Sequence, residues 1–203
     1  MELVIFEGAD YSGKSTTILE MSKKFSKKER FTFNEGPVYP TSLMARLLAI
    51  STQCNELERE FIYTTLFEMD KLERARHPED SRLVFQDRYW PSTVAYGRFL
   101  NHAQSIHHVQ DFRGTFIQPS AVVYLSCALD EKKKRSAQRG RKSRLDRFLL
   151  ENPKEFDRLE TEIDRSLEGL PNIIKIDTTN VQVGEVVDRI MEDLSRTGIL
   201  NKY

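Results

Sequence analysis

Gly8-Ala9-Asp10-Tyr11-Ser12-Gly13-Lys14-Ser15 is a glycine, four residues, then Gly-Lys-Ser. It follows Leu3-Val4-Ile5-Phe6, an apolar run of strand length, and leads into a helix-forming stretch. Glycines at that spacing let the backbone curl around a polyphosphate with its N–H groups inward, and the following helix turns its positive end to the anion. Lys14 adds a point charge for β and γ oxygens from a loop expected to face solvent, and Ser15 offers a hydroxyl to Mg²⁺. A glycine turn without a ligand is the plain alternative. The strand before and the helix after weigh against it.

Outward from this loop, apolar runs of strand length recur at 3–6, 31–33, 83–85, 122–125 and 173–176, with helical stretches between them. That alternation predicts an α/β fold, a doubly wound five-stranded parallel sheet with helices on both faces. Ligands of such sheets bind beyond the carboxyl ends of the strands, where the P-loop, the residues after Phe85 and the loop after Ile176 fall. Phe156, Leu159, Ile163 and Leu167 share one helix face, and Val183, Val186, Val187, Ile190 and Leu194 another. Helices over 41–52 and 55–77 follow the second strand with no strand between them, so they can stand off the sheet as a cleft wall. At 203 residues the chain fits a single domain, 1–203.

Thirty-one basic residues balance thirty-one acidic ones, so nothing global points to nucleic acid or a membrane surface. No apolar run approaches the ~18 residues of a membrane span. A strand starting at the second residue leaves no room for a leader, and a cytoplasmic location is expected. Cys54 and Cys127 stand alone, as small buried side chains of a reducing compartment would. His102, His107 and His108 lie in a loop-like stretch without a metal motif and are expected to be solvated or interfacial.

Gln86-Asp87-Arg88-Tyr89 closes the third strand. A surface ion pair is the plain reading of its Asp-Arg. Opposite a P-loop, however, an acid at a strand end is the usual second anchor for Mg²⁺, and the neighbouring guanidinium suits a second phosphate. Between Arg135 and Arg147 lie six cations in thirteen residues. Such a run is usually a solvated face. Beside a phosphate site, a mobile basic segment can close over the reacting groups, expel water and neutralise developing charge. No aromatics interleave with these arginines, which argues against RNA binding. Phe67, Met69, Lys71, Tyr89, Trp90 and Tyr96 flank the expected cleft, with Tyr89 and Trp90 read as core.

Together these motifs resemble the thymidylate kinase family of nucleoside monophosphate kinases. The resemblance runs from Phe6-Glu7-Gly8-Ala9-Asp10 and Gly13-Lys14-Ser15-Thr16, through Asp87-Arg88-Tyr89 with Ser92, Ala95 and Tyr96, to 119–125. It continues with Arg139-Gly140-Arg141, Leu145-Asp146-Arg147 and Ile176-Asp177. It implies ATP-dependent conversion of a deoxynucleoside monophosphate to the diphosphate, dTMP to dTDP before others, with Mg²⁺ and a homodimer. ATP would lie against Gly8 through Thr16 (Gly8, Ala9, Asp10, Tyr11, Ser12, Gly13, Lys14, Ser15, Thr16) and against Arg135 and Arg139. Ser15 and Asp87 would hold the metal. Asp10, Phe67, Lys71, Arg88, Thr93, Tyr96 and Arg144 would receive the acceptor, Phe67 stacking on the base and Tyr96 filling the place of a ribose 2′-hydroxyl. Lys14, Asp10 and Arg88 would serve the chemistry together with Arg139 and Arg141 of a lid over about 139–147, because Tyr11 occupies the P-loop position where some members carry an arginine. The helices over about 41–77 would form the acceptor side.

The chain departs from the family pattern on that side alone. It has Asn34-Glu35-Gly36-Pro37 where Arg-Glu-Pro-Gly is usual, Lys71 where an arginine reads thymine, and Thr93 where an amide or serine is frequent. A modified pyrimidine nucleotide, another monophosphate or a nucleoside is the alternative acceptor, and a nucleotide-binding switch is a further one. A nucleoside hydroxyl would need a base such as Glu35 or Asp87.

Overall fold

The structure, a computed structural model, describes residues 1–25, 31–34, 37–102, 107, 109, 113–140 and 143–202. Of the residues named above, Glu35, Gly36, His108 and Arg141 lie outside them.

Five strands, β1 (Glu2–Glu7), β2 (Phe31–Asn34), β3 (Leu83–Asp87), β4 (Ala121–Ser126) and β5 (Ile173–Asp177), form one sheet in the order β2-β3-β1-β4-β5. All neighbours run parallel, with Phe6 beside Asp87 on one flank and Val123 on the other, and Ser126 beside Asp177. The carboxyl ends therefore meet at one edge. The three interior strands, β3, β1 and β4, are buried on both faces, as near-continuous apolar runs require. On one face Val4, Phe6, Phe85 and Val123 pack on α1 (Lys14–Phe25) and the last helix, α8 (Val183–Arg196). On the other, Leu3, Ile5, Val84 and Val122 join the core built on α4 (Trp90–Leu100) and α7 (Pro153–Ser166). Phe156, Leu159 and Ile163 of α7, and Val186, Val187, Ile190 and Leu194 of α8, are buried as their spacing predicts.

Helices α2 (Ser42–Ser51) and α3 (Glu56–Arg76) come between β2 and β3. Thr41 caps the first with its side chain, and Asn55 with Glu58 forms a capping box on the second. Asp70, fully buried on α3, accepts the backbone N–H groups of Val38 and Tyr39 at 2.8 Å each, tying the chain after β2 to this wall. Cys127 is buried, whereas Cys54 is only half-buried, because it lies in the turn between α2 and α3.

The described part of the basic run lies in two helices joined through Gly140 and Ser143. Arg135 and Arg139 belong to α5 (Leu129–Arg139); Arg144 and Arg147 open α6 (Arg144–Glu151). Gly140 takes a left-handed φ of 70° to end α5, and Ser143 with Asp146 boxes the start of α6. Helix α5 is anchored by Lys132, 1% exposed, whose Nζ donates to Glu160 Oε1 of α7 at 2.6 Å and sits 4.3 Å from the Phe156 ring centre. The Tyr124 hydroxyl of β4 donates to the other Glu160 oxygen. Removing one partner of a buried pair leaves a charge uncompensated. Lys132→Met is expected to cost about 3 kcal/mol in a denaturant melt, and adding Glu160→Gln should recover part of it.

Candidate active site

Gly8 follows β1 at φ 139°, and a Cβ there would lie 2.2 Å from the Leu125 carbonyl oxygen, so only glycine fits. Tyr11 (φ 64°) and Gly13 (φ 97°) complete the curl. Lys14 does not face solvent as expected. It is buried, and its Nζ donates to the carbonyls of Gly8 (2.8 Å) and Ala9 (3.0 Å). Burial, with the Arg88 charge adding to it, depresses this ammonium to about 7, against the pull of Asp10, Asp87 and Glu7. A bound polyphosphate would add negative charge and restore the cation.

Ser15 Oγ, at the first turn of α1, donates to Asp87 Oδ2 at 3.1 Å. Asp87 Oδ1 is buried with no hydrogen-bond partner among the described residues. A hydroxyl and a carboxylate with an unused oxygen suit a hard cation that takes its remaining ligands from phosphate and water. No group of three or more His, Cys, Asp or Glu among the described residues could hold a metal ion.

Arg88 follows β3 with φ 62°, an uncommon conformation for a residue with a side chain. Its Nη2 donates to Asp10 Oδ1 at 2.7 Å and approaches the Tyr96 hydroxyl at 3.4 Å, while Nη1 donates to Ser92 Oγ at 3.1 Å. Burial works against ionisation of Asp10. The Arg88 and Lys14 charges outweigh it and hold the carboxyl below the usual range. Asp146 of α6 also lines this site, and burial together with the Asp10 charge pushes its carboxyl up.

Glu7 ends β1 fully buried. Its Oε1 accepts the Tyr89 N–H at 2.9 Å and its Oε2 accepts the Ser92 hydroxyl. Burial lifts its carboxyl to about 7 against these hydrogen bonds and the nearby Arg88 charge. Arg135 has four of its five N–H donors committed: Nε to Glu131 (3.1 Å), Nη1 to the Tyr11 carbonyl (3.2 Å) and Thr178 Oγ1 (3.0 Å), Nη2 to the Thr178 carbonyl (2.7 Å). It clasps the P-loop to the turn after β5.

One cavity of about 1240 Å³ joins these groups. Asp10, Tyr11, Gly13, Lys14, Ser15 and Thr16 line it from the P-loop, Asp87 from the end of β3 and Arg88 from the turn after it, Thr93 and Tyr96 from α4, Phe67 from α3, and Arg135, Arg139 and Arg144 from the helices of the basic run. Phe67 is held edge-on to Tyr89 (4.6 Å) and Phe116 (5.6 Å). Ala9 and Ser12 are buried beneath the loop. Lys71 is exposed and does not line the cavity, because α3 turns it outward next to the inward Asp70. His102 is not merely solvated: its Nδ1 lies 3.1 Å from Oε1 of the buried Glu60, which lines the cavity with Arg59 and Tyr63. His107 is exposed.

Sequence reasoning missed Glu7, Asp146 and Thr178 as parts of this site. For Glu7 a signal existed: a carboxylate ending an otherwise apolar strand must find partners.

The thymidylate kinase family profile matches residues 6–190. No curated protein sequence matches the chain. Among solved structures, thymidylate kinase from Ehrlichia chaffeensis aligns with a TM-score of 0.67 at 14% identity, covering 96% of this chain and 98% of that one. Thymidylate kinase from Candida albicans aligns at 0.60 and 20%, covering 97% and 92%. Deoxyadenosine kinase from M. mycoides, with products dCMP and dCDP bound, aligns at 0.64 and 16%, covering 96% and 99%. At these identities the structures establish a shared fold. The profile spans the P-loop, the Asp87-Arg88-Tyr89 turn and the helices of the basic run, and the chain belongs to the thymidylate kinase family, nucleoside monophosphate kinases that take ATP as phosphoryl donor.

Proposed function

We propose that this kinase phosphorylates a deoxynucleoside 5′-monophosphate to its diphosphate, with dTMP as the first acceptor. The observation that carries the reading is the Arg88 guanidinium, set in the P-loop cavity between Asp10 and Tyr96. A planar fork there suits a second phosphate. Tyr96 beside it supports a deoxyribose, and Phe67 offers a ring for a base. Lys71, exposed outside the cavity, leaves a thymine carbonyl without the usual arginine, which favours tolerance of other bases.

A monophosphate is already an anionic nucleophile, so no general base is required; catalysis reduces to aligning two polyanions and cancelling their repulsion. Lys14 would meet the β and γ oxygens, Arg88 the acceptor phosphate, and Arg139 and Arg141 the transferring group. Ser15 and Asp87 would hold Mg²⁺, which supplies further charge neutralisation at the phosphates. The reading includes a homodimer, supported by apolar side chains left exposed on α2 and α3: Leu43, Ile50, Phe61 and Leu72.

ADP formation measured against a panel of nucleosides and their monophosphates tests the reading. Turnover with dTMP or another deoxynucleoside monophosphate is expected; activity confined to unphosphorylated nucleosides, or none, overturns it. In Arg88→Ala the acceptor KM should rise roughly tenfold to a hundredfold, the scale of a lost charge-assisted contact, while the ATP KM stays within about twofold. Parallel loss of ATP affinity would reject the assignment.

A further inference from the structure

Glu7 does not line the cavity, yet both of its oxygens are turned to the start of α4. The N-terminal N–H groups of a helix lack intrahelical partners, and Tyr89, at this N-cap, has no side-chain cap of its own. Glu7 supplies an acceptor there from the neighbouring strand. Its second oxygen takes the one hydroxyl hydrogen of Ser92. The Ser92 lone pairs are then left for Arg88 Nη1 at 3.1 Å. Arg88, Ser92 and Glu7 thus form a chain whose hydrogens all point toward Glu7. Backbone contacts reinforce it: the Arg88 N–H donates to the Phe6 carbonyl at 3.0 Å and the Tyr89 N–H to Glu7, clamping the left-handed Arg88 from both sides.

We propose that Glu7 is a positioning residue for the acceptor phosphate. By fixing the direction of the Ser92 hydroxyl and holding the Arg88 turn, it aims the Arg88 guanidinium into the cavity. The inference rests on the proposed role of Arg88. The plain alternative is a buried helix cap that contributes to folding alone.

Glu7→Gln keeps the size but replaces one acceptor with an NH₂ donor, freeing the Ser92 hydrogen to turn against the guanidinium. At pH 8.5, where the native carboxyl is ionised, the acceptor KM should rise roughly tenfold, with the ATP KM within about twofold. Ser92→Ala should move the same parameter, and the double variant should be no worse than Glu7→Gln, because the two residues act through one chain. A direct readout is the guanidinium N–H spectrum of Arg88 in the full chain, assigned by its loss in Arg88→Lys. Distinct Nη signals are expected in the native protein and averaged ones in Glu7→Gln. Unchanged Arg88 signals, or acceptor and ATP KM rising alike, would overturn the inference. Should Glu7→Gln fail to fold, Ser92→Ala decides by the same measures. Absence of turnover on every monophosphate sinks the proposed function, and the Arg88 spectra still decide whether Glu7 aims that side chain.

Discussion

Replacing Arg139 and Arg141 together with alanine is expected to lower kcat by about a thousandfold or more, the scale seen when an arginine finger is withdrawn. The P-loop brings Lys14, and Tyr11 stands where a further cation could have been. Arg135 is spent on Glu131, Tyr11 and Thr178, so it holds the loop's shape and has little left for a moving charge. Arg139, one turn further along α5, is exposed and lines the cavity. Thermal melting should barely change, since exposed charges contribute little to stability. Lysine at both positions should restore activity only in part, because a point charge does not reproduce the planar fork. Near-normal kcat in the alanine variant would leave these arginines as a solvated face and turn the search to Arg144 and Arg147. Lys71, exposed away from the cavity, is not a substitute.

Lys14→Ala should reduce kcat by at least about a hundredfold, as loss of one preorganised charge donor does. Its burial adds a structural cost. Nζ joins the carbonyls of Gly8 and Ala9, and two such bonds contribute about 1 kcal/mol each. A fall in melting temperature of roughly 4–8 °C is therefore expected for a domain of this size. Lys14→Met, which refills the space, separates the two effects: stability should recover while activity stays low. Full activity in either variant would remove the basis for placing ATP on this loop.

The strands were legible because both faces of the central ones are buried, and 3–6 and 122–125 needed no periodicity to stand out. Boundaries were short by a residue or two where polar ends such as Glu7, Asp87 and Asp177 still pair in the sheet. The P-loop and the Asp87-Arg88-Tyr89 turn were legible as contiguous motifs. The helices that carry the basic run were not legible, because their inward residues are Lys132 and Ser136 in α5 and Leu149 and Leu150 at the end of α6. Charge counting hides that pattern. Contacts made across the sheet, such as Glu7 to Ser92 and Arg135 to Thr178, join residues far apart in the chain and leave no local trace.

Lys132 also bears on how the enzyme should respond to ionic strength. Dissolved ions weaken attraction between charges that water reaches, over a distance of about 8 Å at physiological salt. Pairs such as Arg196 with Glu192 and Asp193 on α8 are open to that screening. The Lys132 ammonium, sealed between Glu160 and Phe156, is not. Helix α5 therefore keeps its seat in brine as in dilute buffer. A change of rate with added salt then reports on cations meeting phosphates, and not on the scaffold that carries them.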